Sequence, residues 1–125
     1  MNRFFIQAGA VLRALAVALG AFGAHALKDY LAQINRADTF ETAVKYQFYH
    51  AIALIMVGVL SKEFSSNTLQ WSGRLLFAGV LIFAGALYTI CFTGITAFGA
   101  VAPIGGSLLI IGWLLLFWGV SKSKV

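Results

Sequence analysis

The stretch LLFAGVLIFAGALYTICFT, residues 75–93, runs for nineteen residues without a charged side chain. A helix needs about 20 apolar residues to cross a bilayer. A barrel strand would alternate apolar and polar positions in ten-residue segments, whereas this run is continuously apolar. Within lipid every backbone group must be paired inside its own segment, so the run reads as a transmembrane helix.

Moving outward, AVAPIGGSLLIIGWLLLFWGV at 100–120 is also uncharged. Toward the N-terminus, Val44–Leu60 and Phe4–Leu27 are long enough to span, the latter interrupted only by Arg13. The expected fold is therefore all-α: a four-helix transmembrane bundle forming one integral membrane domain, with spans at about 4–27, 44–60, 75–93 and 100–120. Composition agrees. Apolar residues make up 61% of the 125, glycine adds 13 more, and 10% are charged, against about 25% charged in soluble domains. So much apolar surface excludes a soluble monomer, and so little charge excludes a disordered chain. A single cysteine, Cys91, excludes an internal disulfide and a cysteine-based zinc site.

Four spans place both termini on one side. That side carries Arg3, Lys62, Arg74, Lys122 and Lys124 against Glu63; the other carries Lys28, Arg36 and Lys45 balanced by Asp29, Asp38 and Glu41. Short loops richer in Lys and Arg stay inside, so both termini are expected in the cytoplasm. The net charge of +5 is thus a topology signal. No basic stripe with interleaved aromatics points to nucleic acid. Ala24-His25-Ala26 resembles a signal-peptidase site, but the preceding run is too long for a signal peptide and carries Arg13, so it is read as a retained span.

Between the first two spans, Leu31, Ile34, Ala37, Phe40 and Val44 recur at helical spacing, which predicts a short amphipathic segment in the interface. Asp38 and Glu41 have capping-box spacing, so the second span is expected to start near Thr39. Ser65-Ser66-Asn67 predicts a polar turn, with Trp71 as an interfacial anchor. Trp118 and Lys122 do the same at the other end of the fourth span. Pro103 opens that span, where its missing N–H costs nothing.

Helices in lipid associate through close backbone approach. Gly105, Gly112 and Gly119 recur every seven residues, Gly85 and Gly79 thin the third span, and Gly20 and Gly23 lie in the first with a stripe of Ala16, Gly20 and Ala24. All are expected to serve helix packing.

GAFGAHALK at 20–28, TAVKYQFYHA at 42–51, GVLIFAGALY at 79–88 and PIGGSLLIIGW at 103–113 together resemble a family of small membrane proteins. It comprises the domain-of-unknown-function 423 proteins, including bacterial YgdD and YwdK and animal transmembrane protein 256. The resemblance spans most of the chain in order and implies a four-helix integral protein of the bacterial inner membrane. It implies no biochemical activity. Two departures stand out: alanines (Ala84, Ala86) flank Gly85 where the family carries serines, and Arg13 occupies a position usually small and apolar.

Side chains that can carry chemistry gather in the second span. His25 and His50 are the only histidines, and with Gln47, Tyr46 and Tyr88 they form an expected polar cluster near the outer interface. Such groups bond across helices, since unpaired polar groups in hydrocarbon are costly. They can alternatively hold a small molecule, an ion or a transferred proton. Two imidazoles on separate helices can also ligate haem iron, but no propionate partner is placed, so no cofactor and no metal site are expected. Arg13, the only charge deep inside a span, is expected to snorkel to cytoplasmic phosphates or to join Arg74 and Lys62 in a lipid or anion contact. With no nucleophile–base pair or phosphate loop, no catalytic residue is expected. The expected function is that of a structural or interaction component acting by helix association, as a homo-oligomer or within a larger membrane complex. The alternative is a membrane binder or transporter built on the histidine–tyrosine–glutamine cluster.

Overall fold

The structure, a computed structural model, describes residues 2–64 and 66–122, the last without its side chain. Ser65 and Lys124, read above as turn and terminal residues, lie outside the described residues, as does the side chain of Lys122. Five α-helices follow in order: α1 (Arg3–Ala24), α2 (Lys28–Gln33), α3 (Ala37–Leu60), α4 (Asn67–Thr93) and α5 (Ala102–Lys122), with a 3-10 turn at Thr96–Ala100 before α5. All but α2 are long and apolar enough to cross a membrane, and the fold is the expected all-α arrangement.

Each boundary has a local cause. The Asn2 side chain accepts from the Phe5 amide at 3.1 Å and the Ser66 hydroxyl from the Leu69 amide at 3.1 Å, capping α1 and α4. Gly94 ends α4 in the left-handed conformation at φ 73°. Between α2 and α3, Asn35 takes φ 55°, and the Asn35 and Arg36 amides return to the Ala32 and Leu31 carbonyls at 3.2 and 2.9 Å. That Schellman-type stop divides the expected amphipathic segment in two. Hence Leu31 and Phe40 are buried while Ile34 and Ala37 are exposed. The capping box does not form, because α3 begins at Ala37 and its cap, Arg36, makes no side-chain capping bond. Helices α3 and α4 also start seven or eight residues before the expected spans, since a helix continues past the apolar run that sets its hydrophobic length.

The long helices pack in sequence order, α1 on α3, α3 on α4 and α4 on α5, and no principal interface joins α1 to α5. They form a row rather than a closed square. Burial follows: 44% and 39% of the apolar windows of α3 and α4 are buried, but 22% in both α1 and α5. The main core lies between the inner helices at Leu54, Val57, Leu69, Leu76 and Val80, with Phe5 inserted from α1.

The ends of the row are tied differently. At one, the Asn2 amide donates to the Gly58 carbonyl at 3.0 Å, its side chain donates to Gln70 at 2.7 Å, and Gln70 donates to the Ser61 hydroxyl at 3.0 Å. Ser66 donates to the Gly119 carbonyl at 3.3 Å. The starts of α1 and α4 and the ends of α3 and α5 therefore share this end. At the other, α2 folds over the bundle, with Leu31 packed on Phe40 and Cys91 and the Tyr30 hydroxyl on the Cys91 carbonyl at 3.2 Å.

Candidate functional site

Midway along the bundle, polar side chains of α3 reach the other three long helices. Gln47 is 4% exposed; its Nε2 donates to the Leu12 carbonyl of α1 at 2.7 Å, and its Oε1 accepts from the Tyr88 hydroxyl of α4 at 2.6 Å. One amide thus joins three helices, using a donor and an acceptor that only an amide offers together. One turn on, His50 is 6% exposed. Its Nδ1 lies 2.8 Å from the Tyr46 carbonyl, and the Trp113 indole of α5 donates to its Nε2 at 3.0 Å. An indole N–H only donates and a carbonyl only accepts, so His50 is neutral with its proton on Nδ1. Tyr46 stacks on the same imidazole with centroids 6.0 Å apart. Ser72 adds a third buried cross-link, donating to the Gly112 carbonyl at 2.6 Å.

The structure brings Gln47, Tyr88, Tyr46 and His50 together and leaves His25 outside. His25 is the exposed C-cap of α1. Ala51, next to His50, lies against Gly9, where an added Cβ would stand 2.7 Å from the Ala51 carbonyl. From Gly9 to His25 is sixteen residues of helix, about 24 Å along the axis. The separation arises because α3 begins at Ala37, which carries His50 to mid-helix instead of the outer interface. Two imidazoles so far apart cannot share a haem iron, and both His50 nitrogens are already engaged. Among the described residues no group of three or more His, Cys, Asp or Glu is placed to hold a metal.

Arg13 does not join Arg74 and Lys62. It is half-buried, with its guanidinium 3.5 Å from the centroid of the Phe48 ring of α3. Arg74 instead lies over Trp71 at 4.8 Å, two turns into α4, and Lys62 is exposed in the turn after α3. The three cations make no common site: Arg13 stands ten residues into α1, about 15 Å along it, with its guanidinium on Phe48, whereas Arg74 lies over Trp71 and Lys62 follows the end of α3. Among the described residues the one ion pair is Lys45 with Glu41 at 3.1 Å, so Arg13 is held by an aromatic face without a carboxylate.

The glycines divide into two kinds. An added Cβ at Gly105 would collide with the Phe83 backbone; at Gly112 it would meet Leu76 at 2.8 Å, and at Gly119 the Leu69 backbone at 3.0 Å. This seven-residue stripe packs closely, as expected of it, and the structure gives its partner as α4. Gly23 is closed by the Phe40 ring at 2.5 Å, while Gly20 makes only ordinary contact with Val44 at 3.5 Å. Gly85 faces open space with nothing within 4 Å, so it is not a packing glycine. Unanticipated close contacts occur at Gly9, at Gly58 against Asn2 and Ile6, and at Gly73 against the Phe5 ring. The signal for Gly9 was a second seven-residue series, Gly9, Ala16 and Gly23, in which Ala16 is fully buried where Ala24 of the expected stripe is exposed. Trp113 was missed too, although a tryptophan in mid-span, away from the interface that residue prefers, marks an internal partner.

One opening adjoins the polar layer and another lies toward the α2 end. Where α1 and α4 diverge, a lateral crevice of about 220 Å³ is lined by Leu12, Leu15, Gln47, Leu81, Gly85 and Tyr88 among others. Under α2 lies a cavity of about 320 Å³ between the last turns of α1 and the first of α3.

A family model described as "Protein of unknown function (DUF423)" matches residues 19–106. The chain is similar to a UPF0382 membrane protein of Staphylococcus haemolyticus, 46% identical over 120 residues, covering 96% of this chain and 97% of the relative. Namesakes in Staphylococcus aureus and Staphylococcus saprophyticus are 43% and 42% identical, each over 96% of this chain and covering 97% and 98% of the relative. No solved structure matches.

Proposed function

Given that the chain belongs to the DUF423 family of membrane proteins, we propose that it is a multi-pass component of the bacterial plasma membrane working by lateral helix association rather than catalysis. Its partners are a second copy or the helices of a larger membrane complex, and both termini face the cytoplasm. The observation that carries this reading is where the polar groups of the spans point. Gln47, His50 and Ser72 are turned inward and bonded to other helices, whereas the row leaves α1 and α5 with broad, nearly uncharged outer surfaces. Ile110, Trp113, Leu114 and Phe117 are all exposed along α5, the surface a neighbouring membrane helix would meet. The basic residues of the terminal end support the orientation.

Disulfide trapping in intact membranes tests it. In a Cys91→Ser chain, Ile110→Cys on α5 or Val11→Cys on α1 should yield a discrete cross-linked species on oxidation. A chain that stays monomeric at both positions overturns the reading.

One observation favours a second reading, a small-molecule binder: Gln47 and Tyr88 line the lateral crevice as well as bonding each other. Filling the crevice separates the two. Gly85→Leu should leave association intact if lateral contact is the function, and should abolish ligand retention if the crevice is.

A further inference from the structure

The cavity under α2 has a composition that the polar layer lacks. Its walls include Gly20, Leu31, Phe40 and Val44, and its mouth carries Lys28 and Glu41. At about 320 Å³ it reaches the lower range of small-molecule sites, roughly 300–1,000 Å³. The two charges differ in their state. Glu41 is neutralised by Lys45 at 3.1 Å, whereas Lys28 has no ion-pair partner among the described residues. An apolar slot whose one lining charge outside an ion pair is a lysine complements a molecule with an anionic head and a hydrocarbon body.

Position narrows the class further. The cavity occupies the last turns of α1 and the first of α3, roofed by a helix whose Leu31 is buried and whose Lys28 and Asp29 are exposed. That is the depth at which an amphipathic helix meets lipid head groups. Space is also left by the sequence at Gly20, where an added Cβ would meet only Val44, at 3.5 Å.

We propose that this cavity binds an anionic phospholipid, its phosphate paired with Lys28 and part of one acyl chain lying against Gly20, Phe40 and Val44. The occupant is a bilayer lipid, drawn from the leaflet that α2 contacts. It is independent of the association proposed above, because the cavity faces neither the outer surface of α5 nor the Gln47–His50 layer.

The test uses the full chain in detergent, equilibrated with mixed micelles of equal phosphatidylglycerol and phosphatidylcholine and read by native mass spectrometry. One lysine near an anionic head group contributes about a fivefold preference, so the chain should retain phosphatidylglycerol about fivefold over phosphatidylcholine. Lys28→Gln should equalise the two lipids, Lys28→Arg should keep the preference, and Gly20→Leu should reduce retention of both. Lys28 is exposed, so its variants leave packing intact and decide the matter even where Gly20→Leu fails to fold. Equal retention of both lipids by the unaltered chain, or an undiminished preference in Lys28→Gln, overturns the proposal.

Discussion

The indole nitrogen of Trp113 and Nε2 of His50 lie 3.0 Å apart, sixty-three residues apart in sequence, and join the outermost helix α5 to α3 across the bundle. Since the indole can only donate, the imidazole must present a bare Nε2 and keep its proton on Nδ1, against the Tyr46 carbonyl at 2.8 Å. A ring so constrained is a structural joint with both valences used.

The first prediction follows from that tautomer. Nitrogen-15 spectra of the protein in lipid should show His50 as neutral with a protonated Nδ1, and Trp113→Phe should release the constraint. The variant should lose about 0.6 kcal/mol, the average for interhelical hydrogen bonds in membranes, and no more than about 1.7 kcal/mol, by equilibrium unfolding in mixed micelles. A His50 signal unchanged by Trp113→Phe would show the contact to be incidental.

Gln47 supports a larger effect. Tyr88→Phe removes one of its bonds, at 2.6 Å, and leaves the bond to the Leu12 carbonyl at 2.7 Å; Gln47→Leu removes both. The expected order of stability is unaltered chain, then Tyr88→Phe, then Gln47→Leu, in steps of about 1 kcal/mol. In the double variant the Tyr88 step should nearly vanish, because its partner is already gone. Additive losses would mean that the two side chains do not act through each other.

The glycines give the sharpest contrast. Gly105→Ala sets a methyl group against the Phe83 backbone, so α4 and α5 must move apart along their whole contact. Gly85→Ala meets nothing within 4 Å and removes a helix-weakening glycine. The first should destabilise by about 1–3 kcal/mol, the usual cost of overpacking, and the second should be neutral or stabilise by up to about 1 kcal/mol. Thermal unfolding of the two variants in the same detergent measures the difference.

That contrast also marks what could be read from the sequence alone. Four spans were legible because a long uncharged run has one solution in lipid. The packing face of α5 was legible because three glycines at seven-residue spacing must share a face, but that α4 covers it was not. Gly85 could not be told from Gly79 in the same way, since each sits singly and only the divergence of α1 from α4 leaves one of them uncovered. The polar layer was half legible. Gln47, Tyr46, Tyr88 and His50 were grouped by residue type and depth, but depth was measured from the apolar run, and α3 starts well before it. That offset put His50 beside His25 on paper and beside Trp113 in the fold.

Arg13 supplies the last prediction, because its environment balances an insertion cost against a weak attraction. A charged side chain at the centre of a membrane helix costs about 2.5–3.5 kcal/mol on insertion scales. What the fold returns is a face-on contact with Phe48 at 3.5 Å, worth about 2 kcal/mol where water is excluded. If packing were its only role, Arg13→Leu should insert and fold at least as well as the unaltered chain, and Phe48→Leu alone should be clearly worse. Combining the two should erase the penalty of Phe48→Leu, since no cation is left to accommodate. Yield in membranes and unfolding in micelles measure all three variants. Should Phe48→Leu cost the same with leucine at position 13 as with arginine, the ring would be supporting the α1–α3 interface rather than the charge, and Arg13 would have to be held from the lipid side.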